Sequence, residues 1–486
     1  MEIVSAHWVG GVWEDAATRA ETRPAPVGGT ALPALCPADP AMADRALSRA
    51  HAAQSEAESV PVPQRAAVLR DLADRLVASA PSLADQLTLE VGCPAAQAEA
   101  LQVHSAVGVL RAYADMVETL GFDTVRPGAR GGAVRVLKRP VGVAVGIVPW
   151  NVPLFLACVK LGAAIAAGCP IVLKPSPENA GSMARFADLV AALDLPAGMT
   201  GVLIGDRAVG QALVADTRAA KVSFTGSTAA GRAVAAACAQ RFARCTLELG
   251  GKSAAILMDD VDIEAVRDEL FLAMLQNNGQ VCGAQSRLFV PQSRYGELTD
   301  ALTDLFAGLV TGDPRNRATH VGPVATPTQA GRIVAMMAAA EASGARRRAG
   351  GVAAADPDRC LVPPTLYDGV ADAAPIAQEE VFGPVVVAFA YGDVDDAIAR
   401  ANASAYGLSG SVWGRDSDRV MQVAARLRTG SVGLSTKRIL DFAAPFGGHR
   451  ASGLGREMGP EGIDGYLETV SIIAPHGLKE GQAAAE

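Results

Sequence analysis

The stretch VGVAVGIVPWNVPLFLACV, residues 141–159, carries no charged side chain and runs on through one lysine into KLGAAIAAGCPIVL. A run of about 20 apolar residues can span a bilayer. Here Pro149 and Pro153 would break a spanning helix at its middle, and Asn151 between them would be a costly polar group in lipid. The run therefore reads as three pieces. VGVAVGIV is a buried strand, PWNVP a turn at its C-terminal end, and LFLACVKLGAAIAAG a helix buried nearly all round. In an open parallel sheet, such a turn faces the ligand crevice.

The rest of the chain repeats the pattern. IVL (171–173), VLIG (202–205) and KVSFTG (221–226) are each followed by a helical stretch, and TLELGG and AAILM come next. A second α/β series begins near Val261: a helix ending near Gln276, a strand RLFVP (287–291), a helix over 295–309, then VVVAFAY (385–391) and SVWG (411–414). Strands alternating with helices predict parallel sheets covered on both faces. Helical patterns fill residues 43–120, with one helix over 98–120. The C-terminal GQAAAE reads as frayed.

Composition narrows the class. The 486 residues suffice for two or three domains. Half are hydrophobic, only 5% are aromatic, and 50 are glycine, which suits a tightly packed α/β enzyme. The net charge is −8 with dispersed basic residues, so nucleic acid is not an expected partner; Arg346, Arg347 and Arg348 read as a solvated surface cluster. The N-terminus lacks a basic region followed by an apolar stretch, so no signal peptide is read there. Eight cysteines without CxxC pairs suggest reduced thiols and a cytoplasmic protein. Six scattered histidines without HExxH give no reason to expect a metal.

Four stretches could carry chemistry. In LQNNGQVCGAQSR (275–287), Cys282 follows a polar turn. As a nucleophile it would need exposure and a depressed pKa; the alternative is one more packed thiol. In LELGGKSAAILM (247–258), Glu248 sits in apolar surroundings, where burial would raise its pKa toward that of a working base; it could equally be a strand-end carboxylate held by backbone donors. FTGSTAAG (224–231) is a strand–turn–helix whose Gly226 and helix N-terminus could approach a phosphate, but it is not GxGxxG. Lys174 ends a strand in VLKPSPE, either facing the crevice or lying on the surface. EEVFGPV (379–385) and APFGGHRASGLGRE (444–457) add a tight turn and a glycine-rich loop.

In this order, PWNVPL, VLKPS, FTGST..G, LELGGK, NNGQ.C, EE.FGPV and PFGG...SG.GRE resemble the aldehyde dehydrogenase superfamily along essentially the whole chain. The resemblance implies an α/β fold with a Rossmann-type cofactor domain (1–121 and 140–250), an α/β catalytic domain (251–445) and a β-arm for oligomerisation (122–139 and 464–486). It implies Cys282 as nucleophile. Asn151 and the Cys282 backbone N–H would hold the oxyanion. Glu248 would activate the water that hydrolyses the thioester, which favours release of a free acid. For the cofactor it implies Lys174 at the adenosine ribose, Gly226 and Ser227 near the pyrophosphate, Glu380 at the nicotinamide ribose, and Phe382 and Trp150 beside it. NAD is expected and NADP possible, since Pro177 stands where NAD-preferring members often carry Glu, and Glu178 comes one later. Ser435 replaces an asparagine often found before PFGG. The substrate pocket implied by motif alignment is Val152, Leu156, Val159, Gln276, Val281, Leu440 and Phe446, mainly aliphatic. That predicts a medium-length aliphatic or terpenoid-like aldehyde; Lys437 and Arg438 could instead favour an acidic tail. The alternatives are a CoA-acylating semialdehyde dehydrogenase and a structural protein that kept the fold. A small-molecule partner, no nucleic acid, no membrane, and a homodimer or homotetramer complete the expectation.

Overall fold

Residues 141–168 divide as their prolines require. The strand Val143–Val148 is buried at every position. Pro153 opens the helix Pro153–Ala167 at its first turn, where a missing N–H costs nothing, and Gly168 ends it in the left-handed conformation. The computed structural model describes residues 2–26, 28 and 30–478; GQAAAE (481–486) lies outside them.

Among the described residues, three larger sheets organise the chain. The first has eight strands, in the order Gly453–Leu454, Arg244–Glu248, Ala219–Thr225, Val143–Val148, Ile171–Pro175, Thr200–Val202, Ala6–Trp8, Trp13–Asp15. Its five middle strands are parallel. The chain builds outward from Val143–Val148 on one side, then returns to lay Ala219–Thr225 on the other. That reversal opens a crevice at the C-terminal ends of these two strands, where PWN and FTGS follow.

The second sheet has seven strands, in the order Arg346–Ala349, Thr365–Asp368, Val385–Tyr391, Arg287–Pro291, Ala254–Leu257, Ser409–Trp413, Ser431–Leu434. Ala254–Leu257 lies here, so this series starts before Val261. Its edge strand corrects the arginine reading. Arg346 and Arg348 do not merely face solvent: both hydrogen-bond the fully buried Asp368 carboxylate, at 2.6 and 2.7 Å. A buried charge must be paired, and the edge strand supplies the pair.

The third sheet is antiparallel, in the order Leu467–Ala474, Ala133–Pro140, Asp123–Pro127. Leu467–Ala474 is an outer strand, exposed along most of its length, with Val470, Ile472 and Ile473 facing out. The helical stretch near residue 100 is not one α-helix. A π-helical turn, Glu99–His104, precedes the α-helix Ser105–Thr119.

Candidate active site

The second sheet meets the crevice with the loops that precede its strands. The α-helix Ile263–Leu275 ends, and Asn277 and Asn278 both take left-handed conformations at φ 52° and 61°. Asparagine tolerates that region better than other side-chain-bearing residues. Their amides then knit the loop in place. Asn278 Nδ2 donates to Gly92 O and Pro323 O, while the Asn277 backbone N–H donates to Gln97 Oε1. Gln280 joins Val91 O and Ala325 N. Cys282 follows on this scaffold. Gly251 lets it come close: a Cβ there would stand 2.6 Å from Cys282 O.

Cys282, Asn151 and Glu248 line one cavity of about 200 Å³, together with Trp150, Leu156, Gly226, Ser227, Glu380 and Phe382. Asn151 is buried and spends one amide N–H on Gln280 O at 2.9 Å; the amide carries a second. Glu248 is buried, and neither carboxyl oxygen has a hydrogen-bond partner. Burial, then the neighbouring Glu457, hold its pKa well above the usual carboxylate range, opposed by Lys160 and Arg456. Lys160 is itself fully buried, donating to Glu457 at 2.7 Å, Thr225 at 2.8 Å and Ser223 at 3.0 Å.

The thiol departs from expectation. Its pKa is not depressed but pushed up to about 12, first by burial, then by the Glu380 and Glu248 carboxylates. Among the largest contributions, the backbone N–H groups of Gly283 and Cys282 favour the thiolate and offset part of this rise. Polarity in the sequence of a loop is not positive potential at its tip.

Glu380 accepts from Gly251 N at 3.0 Å and is raised to about 7 by burial. A Cβ on Gly250 would lie 2.3 Å from its carboxyl, so any larger residue would push the Glu380 side chain out of this position. Phe382 sits at φ 57°, an unfavourable conformation for a bulky residue, and meets Trp150 edge-on at 5.5 Å. Gly226 behaves differently from the simple phosphate-cradle reading: its N–H is bonded to Glu248 O at 3.0 Å. Ser227 Oγ caps the helix Thr228–Ala239 through Ala230 N. Lys174 lines a second cavity of about 940 Å³ that shares Ser227 with the first. Burial lowers the Lys174 pKa to about 8.

The substrate-side residues are gathered less completely. Leu156 reaches the cavity wall. Val152, Val281, Leu440 and Phe446 pack in the same apolar cluster nearby. Val159 is sealed inside that cluster, because it lies on the core side of its helix, and Gln276 does not line the cavity. Ser435 ties its loop to the backbone of Gly414 rather than to the site. Lys437 is turned toward Glu269, which occupies its backbone N–H and lies 3.9 Å from its ammonium. Sequence reasoning missed Phe442, whose ring lies 6.2 Å from Phe155, and also Gln329, Arg332 and Lys160. A lysine inside an otherwise apolar helix was the available signal for the last.

The model for the aldehyde dehydrogenase family matches residues 13–472. The chain belongs to the aldehyde dehydrogenase family. Geranial dehydrogenase from Castellaniella defragrans is 39% identical over 84% of this chain and 85% of its own. An aldehyde dehydrogenase of Mycobacterium tuberculosis, solved with NAD+, superposes with a TM-score of 0.95 at 35% identity, covering 98% of this chain and 99% of that one. Aldehyde dehydrogenase C of Pseudomonas syringae, solved as a mutant with NAD+ and octanal, gives 0.92 at 34% identity over 98% of each chain. The enzyme is thus an NAD(P)-dependent oxidoreductase that converts aldehydes to acids. Its two cavities, which share Ser227 in their walls, suit the cofactor: the buried Lys174 lines the larger, and Glu380 with the Trp150–Phe382 pair lines the smaller beside Cys282. No helix among the described residues is long and apolar enough to cross a membrane.

Proposed function

We propose that the enzyme oxidises a medium-length aliphatic or terpenoid-like aldehyde to the free acid through Cys282. The carrying observation is the single cavity wall shared by Cys282, Asn151 and Glu248, with apolar residues around it. Cys282 gives its thiol proton to the Glu248 carboxylate in the same cavity, and its sulfur bonds to the aldehyde carbon as the carbonyl π pair moves onto oxygen. The Glu248 carboxylate helps raise the Cys282 pKa, so the thiolate forms most easily while Glu248 is protonated. The oxyanion is held by Asn151 Nδ2 and the Cys282 N–H. When bound, NAD(P) supplies the hydride acceptor, held by Lys174, Ser227, Glu380 and Phe382. Glu248 then releases its proton to solvent and, as the carboxylate, takes one from the water that attacks the thioester carbon; the C–S bond breaks and the Cys282 thiolate is reprotonated.

The aliphatic neighbours Leu156, Val281 and Leu440, with Phe155, Phe442 and Phe446, favour a branched or straight hydrocarbon tail. The similarity to geranial dehydrogenase agrees with that choice. Glu178 is bound by Ser176 Oγ and by Arg23 at 3.3 Å, which neutralises the carboxylate nearest the adenosine end; that supports use of both NAD and NADP. The exposed outer strand Leu467–Ala474 supports a dimer or tetramer. The unpaired thiols agree with a cytoplasmic setting.

A panel of geranial, octanal, a short aldehyde and an acidic semialdehyde, run with NAD and with NADP in buffer free of CoA, tests the reading. The apolar aldehydes should give the highest kcat/KM, and Cys282→Ala should abolish turnover. A strict need for CoA, or a preference for the acidic substrate, would overturn it.

A further inference from the structure

The π-helical turn Glu99–His104 is out of place in a chain whose other long helices are regular. Such turns are unfavourable and recur at functional sites. The buried face it feeds runs Ala98, Gln102, Val103, Ala106, Val109, Leu110, Tyr113. Gln102 is fully buried within this apolar stripe. Its Nε2 donates to the backbone carbonyl of Asn151 at 3.0 Å, while its Oε1 has no partner. One end of the amide is therefore left unsatisfied so that the other can reach the PWN turn. An apolar residue would suit the stripe better in every respect but that bond.

Asn151 has little else to hold it. Val152, which follows, caps the next helix with no side-chain bond. The Asn151 carbonyl accepts a second bond, from Asn277 Nδ2 at 3.0 Å, and the Asn151 side chain donates to Gln280 O at 2.9 Å. Those two partners belong to the loop that carries Cys282; Gln102 alone comes from the other side, the helical layer of residues 95–119. Three amides thus fix one residue from opposite directions. Removing the Gln102 bond would leave the Asn151 carbonyl and side chain bonded to the nucleophile loop alone, with Asn179 Nδ2 still holding the preceding carbonyl, Trp150 O, at 3.2 Å.

We propose that Gln102 is a positioning residue for the oxyanion donor, and that the π-helical turn serves to bring it into reach. This rests on the reading of Asn151 as that donor. Loss of the bond should act on the transition state rather than on substrate or cofactor binding, because small misplacement of a catalytic group is costly.

The test is a double-mutant cycle between Gln102→Met and Asn151→Ala in the full-length enzyme, with kcat, KM, cofactor Kd by calorimetry and Tm measured for each variant. Gln102→Met keeps the volume and removes the donor. It should lower kcat about tenfold, leaving KM and cofactor Kd within about twofold. In the Asn151→Ala background the same change should cost less than about twofold, since there is no donor left to position. Equal losses in both backgrounds, or an unchanged kcat in the single variant, would overturn the proposal. Full turnover in Asn151→Ala alone would instead show that the oxyanion reading had failed. Should Gln102→Met not fold, Gln102→Asn, which keeps the amide but falls one methylene short, is read by the same criteria.

Discussion

Asn151→Ala tests the proposed oxyanion contact apart from folding. Its amide makes one hydrogen bond inside the protein, to Gln280 O, and that carbonyl keeps a weaker donor, Asn277 Nδ2 at 3.4 Å. Truncation should therefore cost about 1 kcal/mol of stability, the net worth of one neutral bond, plus about 1 kcal/mol for the few atoms removed from a buried site. The turnover loss should be larger. Removing one preorganised donor typically costs about 100- to 1000-fold in kcat, or about 2.7–4 kcal/mol. Asn151 is buried and its rotamer is fixed by Gln280, so no reorganisation offsets that figure. The assay is steady-state NADH formation with octanal, beside cofactor calorimetry and thermal unfolding. A Tm within a few degrees and an unchanged cofactor Kd with a 100-fold lower kcat would fit. A kcat within threefold of wild type would refute the assignment, since no other side-chain amide lines the cavity beside Cys282 except Gln329, which is committed to the carbonyls of Val381 and Phe382.

Four further outcomes are expected. Glu248→Gln should let acyl-enzyme accumulate, seen by rapid mixing as one burst of NADH per subunit followed by slow turnover; absence of a burst combined with normal steady-state rate would remove Glu248 from hydrolysis. Cys282 in the cofactor-free enzyme should react slowly with iodoacetamide at pH 7 and faster as pH rises toward 10, because its thiol is held near 12; a fast, pH-independent alkylation of Cys282 by peptide mapping would contradict this. Lys160→Met should destabilise by about 3–5 kcal/mol, because Glu457 is left buried and uncompensated, and Lys160→Met with Glu457→Leu should recover much of that in denaturant melts. Glu90, buried with its pKa raised from 4.5 to about 7, binds its proton more tightly when folded. Its contribution to stability therefore falls as pH rises from about 4.5 to about 7, then levels, and Glu90→Gln should flatten that slope in urea titrations.

Much of the framework was readable from local pattern. Arg287–Pro291 and Val385–Tyr391 coincide with the predicted strands because apolar, β-branched runs there are bounded by Pro or Gly. The division at Pro149 and Pro153 followed from proline's missing donor. What stayed hidden depends on partners far apart in sequence. Arg346 and Arg348 find Asp368 across an antiparallel strand pair. Gln102 lies 49 residues from the carbonyl it serves. The thiol's raised pKa arises first from burial and then from Glu380 and Glu248, which approach from different segments. Residue type at Cys282 indicated chemistry, but its potential is a sum over neighbours that no window of sequence contains. Likewise Gly226 suggested a phosphate contact from its type, while its N–H was already taken by the adjacent strand.

The Glu248 carboxyl, bonded to nothing and pressed so close to Gly447 that a Cβ there would lie 2.6 Å from its oxygen, has a dynamic consequence. An acid tethered by hydrogen bonds must break them each time it turns. This one has no such protein bond to break, and side-chain rotation takes picoseconds to nanoseconds where space allows. In the proposed cycle, one group then serves the sulfur early and the water late. The missing bonds are what leave it free to keep both appointments.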